Sequence, residues 1–389
     1  MREGYASRTA EQNALFRALE SSRPERERVC HDPLARHFLT WPLTLVTRLA
    51  AIPGGATFVS SFIDRRWPGV RSSVVARTRL IDDAIAAALD NGIEQLVILG
   101  AGFDSRAYRM SRLRALDVFE VDHPDTQAAK QGVLKRVFST LPTHVRFVAI
   151  DFKRDDLTSM MRSAGYRDSA RTFILWEGVT NYLTDGAVDS TLRWCSGASA
   201  GSLLLFTYVH RDVLTHPSSY TGTKNLFASL EKAGERLTFG IDPSHAPQYL
   251  AERGLSLEQD LGAAEYRARY FGAEARRMRG HEFYRVALAR VGRRDTMDED
   301  LHRMSREQLL EEVKKLRRGI RGHRDSTGHQ LCWHHPALWG LLPEKTDPIP
   351  VVPDWPQFLD GCLKYRQSLD QQLPDAPRTR EAYPASGSA

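Results

Sequence analysis

Two glycines follow a short apolar run in the stretch VILGAGFDSRAYRM, which extends from Val97 to Met110. Because glycine has no Cβ, Gly100 and Gly102 allow a ligand to approach the backbone closely. The arrangement is typical of a strand that ends in a nucleotide-binding loop. The third small residue of the dinucleotide fingerprint would fall at Ser105, so that fingerprint is incomplete. A tight turn without a ligand is the alternative interpretation.

A carboxylate ends the next apolar run. The run finishes in EVDHP and places Asp122 shortly after the glycine pair in the chain. An acidic side chain at the tip of this strand can accept both hydroxyls of a ribose. Glu120 is the alternative residue for this role, although it would point to the opposite side from Val121. Asp122 has an alternative role too, as a helix cap before Pro124.

Carboxylates also follow the third and fourth apolar runs. The third run ends in AIDFKRDDL, where Asp151 comes first and Asp155 or Asp156 is expected to cap the following helix. The fourth ends in WEGVTNYL with Glu177. A carboxylate that leaves a buried strand is costly unless it is paired. We therefore expect Glu177 to meet a cation, either an ammonium group of a ligand or a nearby arginine.

These side chains need elements that bring them to one edge. Near-continuous apolar runs begin near positions 95, 116, 145, 172 and 202, as expected of strands buried on both faces. The intervening stretches are long enough for crossover helices, which predicts a parallel sheet covered on both sides. Two later runs, near 254 and 281, predict an antiparallel pair. The expected fold class is therefore α/β, with the Rossmann-like, seven-stranded sheet of class I methyltransferases; dinucleotide oxidoreductases use a second βαβαβ half instead.

The chain divides into five predicted parts. These are an N-terminal helical cap (1–92), a nucleotide-binding core (93–292), a linker helix (293–325), a C-terminal module rich in Trp and Pro (326–373) and a disordered tail (374–389). A helix is expected from Val74 to Asn91, because apolar residues recur there at helical spacing. The linker helix begins with a capping box, Ser305 to Gln308.

Composition limits the choice of partners. The 389 residues are 42% hydrophobic and 26% charged, with a formal net charge of +6. Acidic and basic residues are interleaved, so we expect no nucleic-acid partner. The most apolar early stretch, Trp41 to Phe62, is too interrupted to span a bilayer, and no membrane partner is expected. Cys30, Cys195, Cys332 and Cys362 lie far apart, which favours reduced thiols in a cytoplasm.

Four motifs in order, LGAGFDSRAYR, EVDHP…K, DF…DL and EGVTNYL, resemble the leucine carboxyl methyltransferase family. The resemblance covers roughly residues 5 to 292. This family transfers a methyl group from S-adenosylmethionine, often to a carboxylate. It includes the enzyme that methylates the C-terminal carboxylate of a protein phosphatase, a tRNA wybutosine-modifying relative and bacterial polyketide-tailoring members. The phosphatase enzyme's substrate loops are not recognisable here.

The resemblance assigns the cofactor-binding residues. Arg77 would grip the cofactor carboxylate, a task that suits the planar donor fork of arginine. Arg79 is the alternative, because both arginines are expected near the same helix face. The other assignments are as follows: Gly100, Ala101 and Gly102 for the methionine moiety, Asp122 for the ribose with His123 beside it, Asp151 and Phe152 for adenine, and Glu177 for the methionine ammonium.

The acceptor side is less sharply predicted. A carboxylate is already an anion near neutral pH, so transfer to it needs alignment and desolvation rather than a base. A hydroxyl acceptor would need a base, and His210 is the candidate, with a packing histidine as the alternative. The candidate substrate contacts are Arg106, Tyr182, Tyr208 and Arg211. Arg211 would pair with an acceptor carboxylate, whereas a structural role is the alternative for Arg106. For the two tyrosines the alternative is packing in the core, where buried tyrosines are common.

The C-terminal module contains a cluster of metal-ligand residue types: His329, Cys332, His334 and His335. Their order fits no standard zinc spacing, so we predict no metal and a packed aromatic and histidine cluster. Three roles are open for this module: it would dimerise the enzyme, cover the active site or bind a carrier protein. The sequence also leaves open whether the protein forms a homo-oligomer.

The sequence thus predicts an S-adenosylmethionine-dependent O-methyltransferase. Its acceptor is expected to be a small carboxylic acid, in secondary metabolism. The sequence leaves three alternative functions open: a tRNA-modifying methyltransferase of the same family, a nicotinamide-dependent oxidoreductase, and a non-catalytic protein whose function resides in the C-terminal module.

Overall fold

The computed structural model describes residues 8–52, 54–151, 155–233, 235–292, 301, 304–325, 354–372, 374–375 and 378. The chain divides into two compact units, Met1–Arg294 and Asp295–Ala389. The finer division into five parts stays a prediction. Phe152 and the cluster formed by His329, Cys332, His334 and His335 lie outside the described residues.

The first unit contains the predicted seven-stranded sheet, in the order β3-β2-β1-β4-β5-β7-β6. Strands β1 to β5 pair in parallel, whereas β7 pairs antiparallel with both β5 and β6. The strands are β1 (Gln95–Leu99), β2 (Asp117–Asp122), β3 (Val145–Ala149), β4 (Thr172–Trp176), β5 (Leu203–Val209), β6 (Leu255–Gly262) and β7 (Tyr284–Val291). The class I methyltransferase topology expected from the sequence is confirmed.

Helices precede, connect and cover the strands. They are α1 (Arg8–Ser21), α2 (Trp41–Ala50), α3 (Gly55–Arg66), α4 (Val70–Asp90), α5 (Arg106–Arg109), α6 (Pro124–Phe138), α7 (Leu157–Ser163), α8 (Asp185–Ser196), α9 (Asp212–Thr215), α10 (Thr223–Ala233), α11 (Ala246–Ala251) and α12 (Ala263–Phe271). Helix α4 begins four residues before the predicted start. Asp156 caps α7 by accepting from the Ser159 amide at 2.8 Å, as one of the two expected candidates.

The central strands are apolar throughout because both faces of the sheet are covered. Leu96 and Ile98 of β1 belong to a buried cluster on the α4 side, whereas Val97 and Leu99 belong to a second cluster on the α8 side. Successive side chains of a strand point to opposite faces, so a strand between two helical layers needs apolar residues at every position. This requirement explains why the runs near 95 and 202 show no alternation.

The second unit contributes two described helices, α13 (Arg306–Asp325) and α14 (Trp355–Gln372). The predicted capping box is present: the Ser305 amide donates to the Gln308 side chain at 2.7 Å, and the Gln308 amide donates to the Ser305 hydroxyl at 3.2 Å. Among the described helices of both units, none is long and apolar enough to cross a membrane.

Candidate active site

The strand order reverses between β1 and β4, and open α/β sheets bind their ligands at such a crevice, beyond the carboxyl ends of the strands. Gly100 follows β1, Asp122 ends β2 and Glu177 follows β4, so all three sit at this edge. Each of them is partly accessible to solvent, whereas the strands beneath are buried. The fold therefore brings together residues that the sequence separates.

The glycine loop is held against strand β2. The amides of Gly100 and Ala101 donate to the Val121 carbonyl at 2.8 and 3.1 Å. Gly100 has φ +65°, and a Cβ added there would lie 2.4 Å from Cγ2 of Val179. Gly102 also has a positive φ, +42°. Glycine is needed at position 100 because of its backbone conformation and its contact with Val179, in addition to any ligand.

Asp122 supports the same loop. Its carboxylate accepts hydrogen bonds from the Gly102 amide at 2.5 Å and from the His123 amide at 2.6 Å. Burial raises the pKa of Asp122, against the lowering effect of these two amides. Asp122 is not the cap of α6, which was its alternative role. His123 caps this helix, because its Nδ1 accepts from the Asp125 amide.

Glu120 lies beneath the loop and is held in a buried ion pair. Its carboxylate, 1% exposed, pairs with Lys130 Nζ at 2.8 Å. Lys130 also donates to the Ala101 carbonyl at 3.5 Å, which ties this buried pair to the glycine loop. Of the two carboxylates considered for a ribose, only Asp122 is accessible from the crevice.

Glu177 meets two arginines. Arg77 donates from Nε to Oε1 at 2.7 Å, and Arg106 donates from Nη1 to Oε2 at 2.9 Å. Burial alone would raise the pKa of Glu177, but the two guanidinium groups lower it below its ordinary value. The carboxylate stays ionised and keeps lone pairs for a further donor.

The arginines belong to a larger buried network. Arg106 also pairs with Asp104 and, through Nε, with Asp82 at 2.8 Å; Arg109 reaches the same Asp82 oxygen at 2.7 Å. With Arg77 and Glu177 this makes three arginines and three carboxylates, with no net charge. A ligand end that carries one carboxylate and one ammonium group preserves that balance.

Sequence reasoning missed Asp82, Asp104 and Arg109. The available signal was the spacing of Arg106 and Arg109, three residues apart, which places two cations on one helix face. Their shared partner lies on α4, more than twenty positions earlier in the chain, and no local pattern identifies it.

Arg77 and Arg79 do not share a helix face, which corrects the sequence expectation. The Arg77 side chain is 6% exposed at the crevice, whereas that of Arg79 is 49% exposed and pairs with Asp83. Residues two positions apart on a helix differ by about 200° in direction. Only Arg77 can serve the crevice.

Arg77 keeps donors for a ligand. Within the described residues, no hydrogen bond or ion pair engages its Nη1 or Nη2. A guanidinium with two unused parallel donors matches a carboxylate, and the adjacent Glu177 matches an ammonium group. The residues at this edge therefore fit the methionine end of S-adenosylmethionine.

The crevice continues toward β3, where the sequence placed the adenine. The amide of Ile150 donates to the Asp122 carbonyl at 2.9 Å, so Asp151 follows directly beside the ribose candidate. The Asp151 amide donates to Asp155 at 2.8 Å. Phe152, the other adenine candidate, lies outside the described residues.

Helix α1 covers the glycine loop. A Cβ on Gly102 would lie 3.5 Å from Cβ of Ala10, and Arg17 Nη2 donates to the Phe103 carbonyl at 2.6 Å. The Thr9 hydroxyl donates to Glu235 at 2.7 Å, which joins α1 to the segment after α10. Helix α1 therefore lies over the glycine loop and is held there from both ends.

Two tyrosines, Tyr182 and Tyr284, lie near each other at the Arg77 end of the crevice. Tyr284 begins β7 opposite Val209, the last residue of β5, and lies near Tyr182 and Arg77. Burial raises the pKa of Tyr284 to about 12 and also raises that of Tyr182. Both hydroxyls therefore stay protonated and can donate hydrogen bonds.

The other predicted acceptor contacts lie apart from this pair. Tyr208 donates its hydroxyl to Asp260 of β6 at 2.6 Å. Arg211 is exposed, 4.0 Å from the exposed Asp185. His210 Nδ1 accepts from the Asp212 amide at 3.1 Å, and its ring lies 6.2 Å from that of Tyr220.

Sequence reasoning also missed His281, close to the acceptor side. It has φ +61°, its ring stacks on Tyr284 with centroids 5.2 Å apart, and its Nε2 is buried without a hydrogen-bond partner. Burial and the charges of Arg77 and Arg267 lower its pKa to about 3. His281 is therefore neutral near pH 7.

The seven-stranded sheet and the crevice define a class I methyltransferase. The family model for leucine carboxyl methyltransferases matches residues 10–196. A protein of Frankia alni, named as an S-adenosyl-L-methionine-dependent methyltransferase, is 37% identical over 227 residues, which cover 58% of this chain and 77% of that protein. One of the same description from Streptomyces coelicolor is 34% identical over 206 residues, or 52% of this chain and 68% of that protein.

A crystal structure of a DUF574-family protein from Streptomyces avermitilis aligns with 74% of this chain and 98% of its own, at 12% identity and a TM-score of 0.46. On the family model and the curated relatives, the chain belongs to the leucine carboxyl methyltransferase family. It is an S-adenosylmethionine-dependent methyltransferase, as the sequence predicted. Family membership argues against the nicotinamide-dependent alternative.

Proposed function

We propose that this enzyme methylates the carboxylate of a small organic acid. The observation that supports the proposal is the donor-rich acceptor side of the crevice. Tyr182 and Tyr284 keep their protons near pH 7, so both hydroxyls can donate to an acceptor. Such groups stabilise an oxygen anion that is already present. They are poorly suited to removing a proton from a hydroxyl.

The cofactor supplies a methyl group already activated on its sulfonium, so the protein's task is to align the two reactants and exclude water. Arg77 and Glu177 would hold the amino-acid end, Asp122 the ribose, and Asp151 the adenine. Tyr182 and Tyr284 would donate to the acceptor carboxylate and orient one of its oxygens for in-line attack. Helix α1, above Gly102, would keep the reacting atoms dry.

A hydroxyl acceptor is the second candidate. His210 retains Nε2 for a proton, because only Nδ1 accepts from the backbone. Glu235 is a further carboxylate on the acceptor side, although its oxygen accepts from Thr9. Either group would be the base that such a reaction requires.

The experiment uses S-adenosylmethionine with a labelled methyl group and paired acceptors, each a carboxylic acid and the corresponding alcohol. We expect label in the acids, released by mild alkali as volatile methanol, as methyl esters behave. Label that resists alkali would overturn the carboxylate proposal and favour His210 or Glu235 as a base.

A variant pair links the reaction to the site. Tyr284→Phe should lower kcat/KM about tenfold or more, since a hydrogen bond to a charged group contributes roughly 1.5–3 kcal/mol. Tyr249→Phe is the matched control, because that ring packs against Arg253 and belongs to a different hydrophobic cluster from Tyr284. An unchanged Tyr284→Phe enzyme would remove this residue from the acceptor side.

The setting of the reaction is also a proposal. A small-molecule acceptor suits the interleaved surface charge better than a nucleic acid would. Buried free thiols at Cys30 and Cys195 suit the reducing cytoplasm. Secondary metabolism rests on the resemblance to polyketide-tailoring members of the family.

A further inference from the structure

Helices α2 and α3 form a helical hairpin whose outer surface is unusually apolar. Its exposed large side chains are Trp41, Leu45, Leu49, Ile52, Phe58 and Phe62, with Trp41 74%, Phe58 68% and Phe62 63% exposed. Single exposed apolar residues are ordinary, but a group of this size marks a surface that meets something apolar.

The exposure follows from a well-anchored structure. The opposite sides of the two helices, at Ala50, Val59 and Ile63, are buried in a cluster with residues of α1 and α4. The turn between the helices is tight, since a Cβ on Gly55 would lie 2.0 Å from the Leu49 carbonyl oxygen. Each helix of the hairpin thus has one apolar side buried in the core and a second apolar side exposed to solvent.

Unpaired cations accompany this apolar surface. Arg48, Arg65 and Arg66 are exposed, and no ion pair within the described residues engages any of them. The hairpin has one acidic residue, Asp64, which is bound by Arg71 at 2.7 Å. Arg66 also lies over the Trp67 ring, 5.2 Å from its centroid. Aromatic and aliphatic side chains next to arginines that have no carboxylate partner are the features of helices that lie in the interface of an anionic membrane.

We propose that the α2–α3 hairpin docks on an anionic lipid surface. The apolar side chains would enter the boundary between headgroups and acyl chains, and the three arginines would meet the phosphates. A second copy of the chain fits less well, because a two-fold contact would gather the arginines of both copies in one interface, where the single carboxylate of each hairpin, Asp64, is already paired with Arg71. This inference departs from the sequence prediction of no membrane partner, whose argument concerned spanning a bilayer, not lying on one.

Vesicle co-sedimentation of the full chain tests the proposal without any measurement of methyl transfer. We expect binding to phosphatidylcholine vesicles that contain phosphatidylglycerol, much weaker binding to phosphatidylcholine alone, and weakening by salt. The double variant Phe58→Ser/Phe62→Ser and the triple variant Arg48→Gln/Arg65→Gln/Arg66→Gln should each lower binding about tenfold or more.

Leu310→Ser/Leu316→Ser on α13 is the matched control, since those leucines are also exposed but belong to the other unit. It should bind vesicles like the wild type, and circular dichroism of all variants checks folding. Absence of binding to anionic vesicles, or equal binding by the hairpin variants, would overturn the proposal. If light scattering instead showed a dimer that only Phe58→Ser/Phe62→Ser dissociates, the surface would be an interface between copies.

Discussion

Arg77 donates a hydrogen bond from Nε to Oε1 of Glu177 at 2.7 Å, although the two residues lie 100 positions apart in the chain. The contact joins α4 of the N-terminal helices to the end of β4 in the sheet. The bond uses only Nε, and the terminal nitrogens of the guanidinium have no hydrogen-bond partner among the described residues. The ion pair therefore both orients a ligand-binding group and neutralises its charge before a ligand arrives.

The first prediction concerns the donor fork of Arg77. Arg77→Lys keeps the charge but loses the two parallel donors, so S-adenosylhomocysteine should bind about tenfold to a hundredfold more weakly. Isothermal titration calorimetry measures this. Arg79→Lys, two residues away and exposed, is the control and should bind like the wild type. Equal affinities for all three proteins would show that Arg77 does not hold the cofactor carboxylate.

The second prediction concerns stability. Glu177→Gln leaves Arg77 and Arg106 without their shared charge inside the protein, which should lower the free energy of unfolding by about 3 kcal/mol. Urea titration at pH 7 measures the loss. Glu258→Gln removes a carboxylate from the surface pair with Arg290 and should cost less than about 1 kcal/mol. A small loss in Glu177→Gln would mean that solvent screens the network.

The third prediction separates two reasons for glycine. Gly100→Ala meets both a left-handed backbone and the Val179 side chain, whereas Gly178→Ala meets a similar backbone, φ +73°, in open space. We expect about 1 kcal/mol of destabilisation at Gly178 and clearly more at Gly100.

Adding Val179→Ala should recover part of the Gly100→Ala loss, because it removes the methyl group that clashes. Thermal unfolding of the three variants gives the comparison. If Val179→Ala brings no recovery, the contact between these two residues does not explain the glycine.

The fourth prediction concerns pH. The unfolded chain takes up a proton at position 281 below about pH 6.5, while the folded protein, with its pKa of about 3 for His281, does not. Stability must therefore fall as the pH falls through this window, by roughly 2 kcal/mol from this group between pH 6.5 and 5. His281→Asn, which tolerates the positive φ, should flatten the profile by that amount.

Urea titrations at pH 5, 6 and 7 measure this difference. His245→Asn is the matched control, since that ring is 73% exposed. Parallel profiles for the wild type and His281→Asn would contradict the buried, neutral state of the imidazole.

Much of the fold was predictable because burial leaves a direct mark on composition. A strand covered on both faces must be apolar at every position, so β1 and β5 stand out as continuous runs. The last two strands, β6 and β7, differ in their pattern and were predicted as an antiparallel pair. Helix caps such as Asp156 were also predictable, because they depend on residues only three positions apart.

The partners of charged and polar side chains could not be predicted from the sequence. Tyr208 could have faced the crevice, but it donates to Asp260, which lies 52 positions away. Arg77 and Arg79 are equivalent in the sequence and differ only because α4 buries one side against the sheet. Such partners meet only once the sheet has formed.

The sequence by itself thus determined the order of strands and helices, the glycine loop and the family of the enzyme. These features depend on local residue patterns and on the apolar composition that each buried segment requires. Tertiary structure alone decided that Arg77, Arg106 and Asp82 assemble around Glu177, and that Asp122 turns to Gly102 while His123 caps α6. The physical reason is that electrostatic and hydrogen-bonding partners are chosen by distance in space, which a linear chain does not specify until its strands are paired.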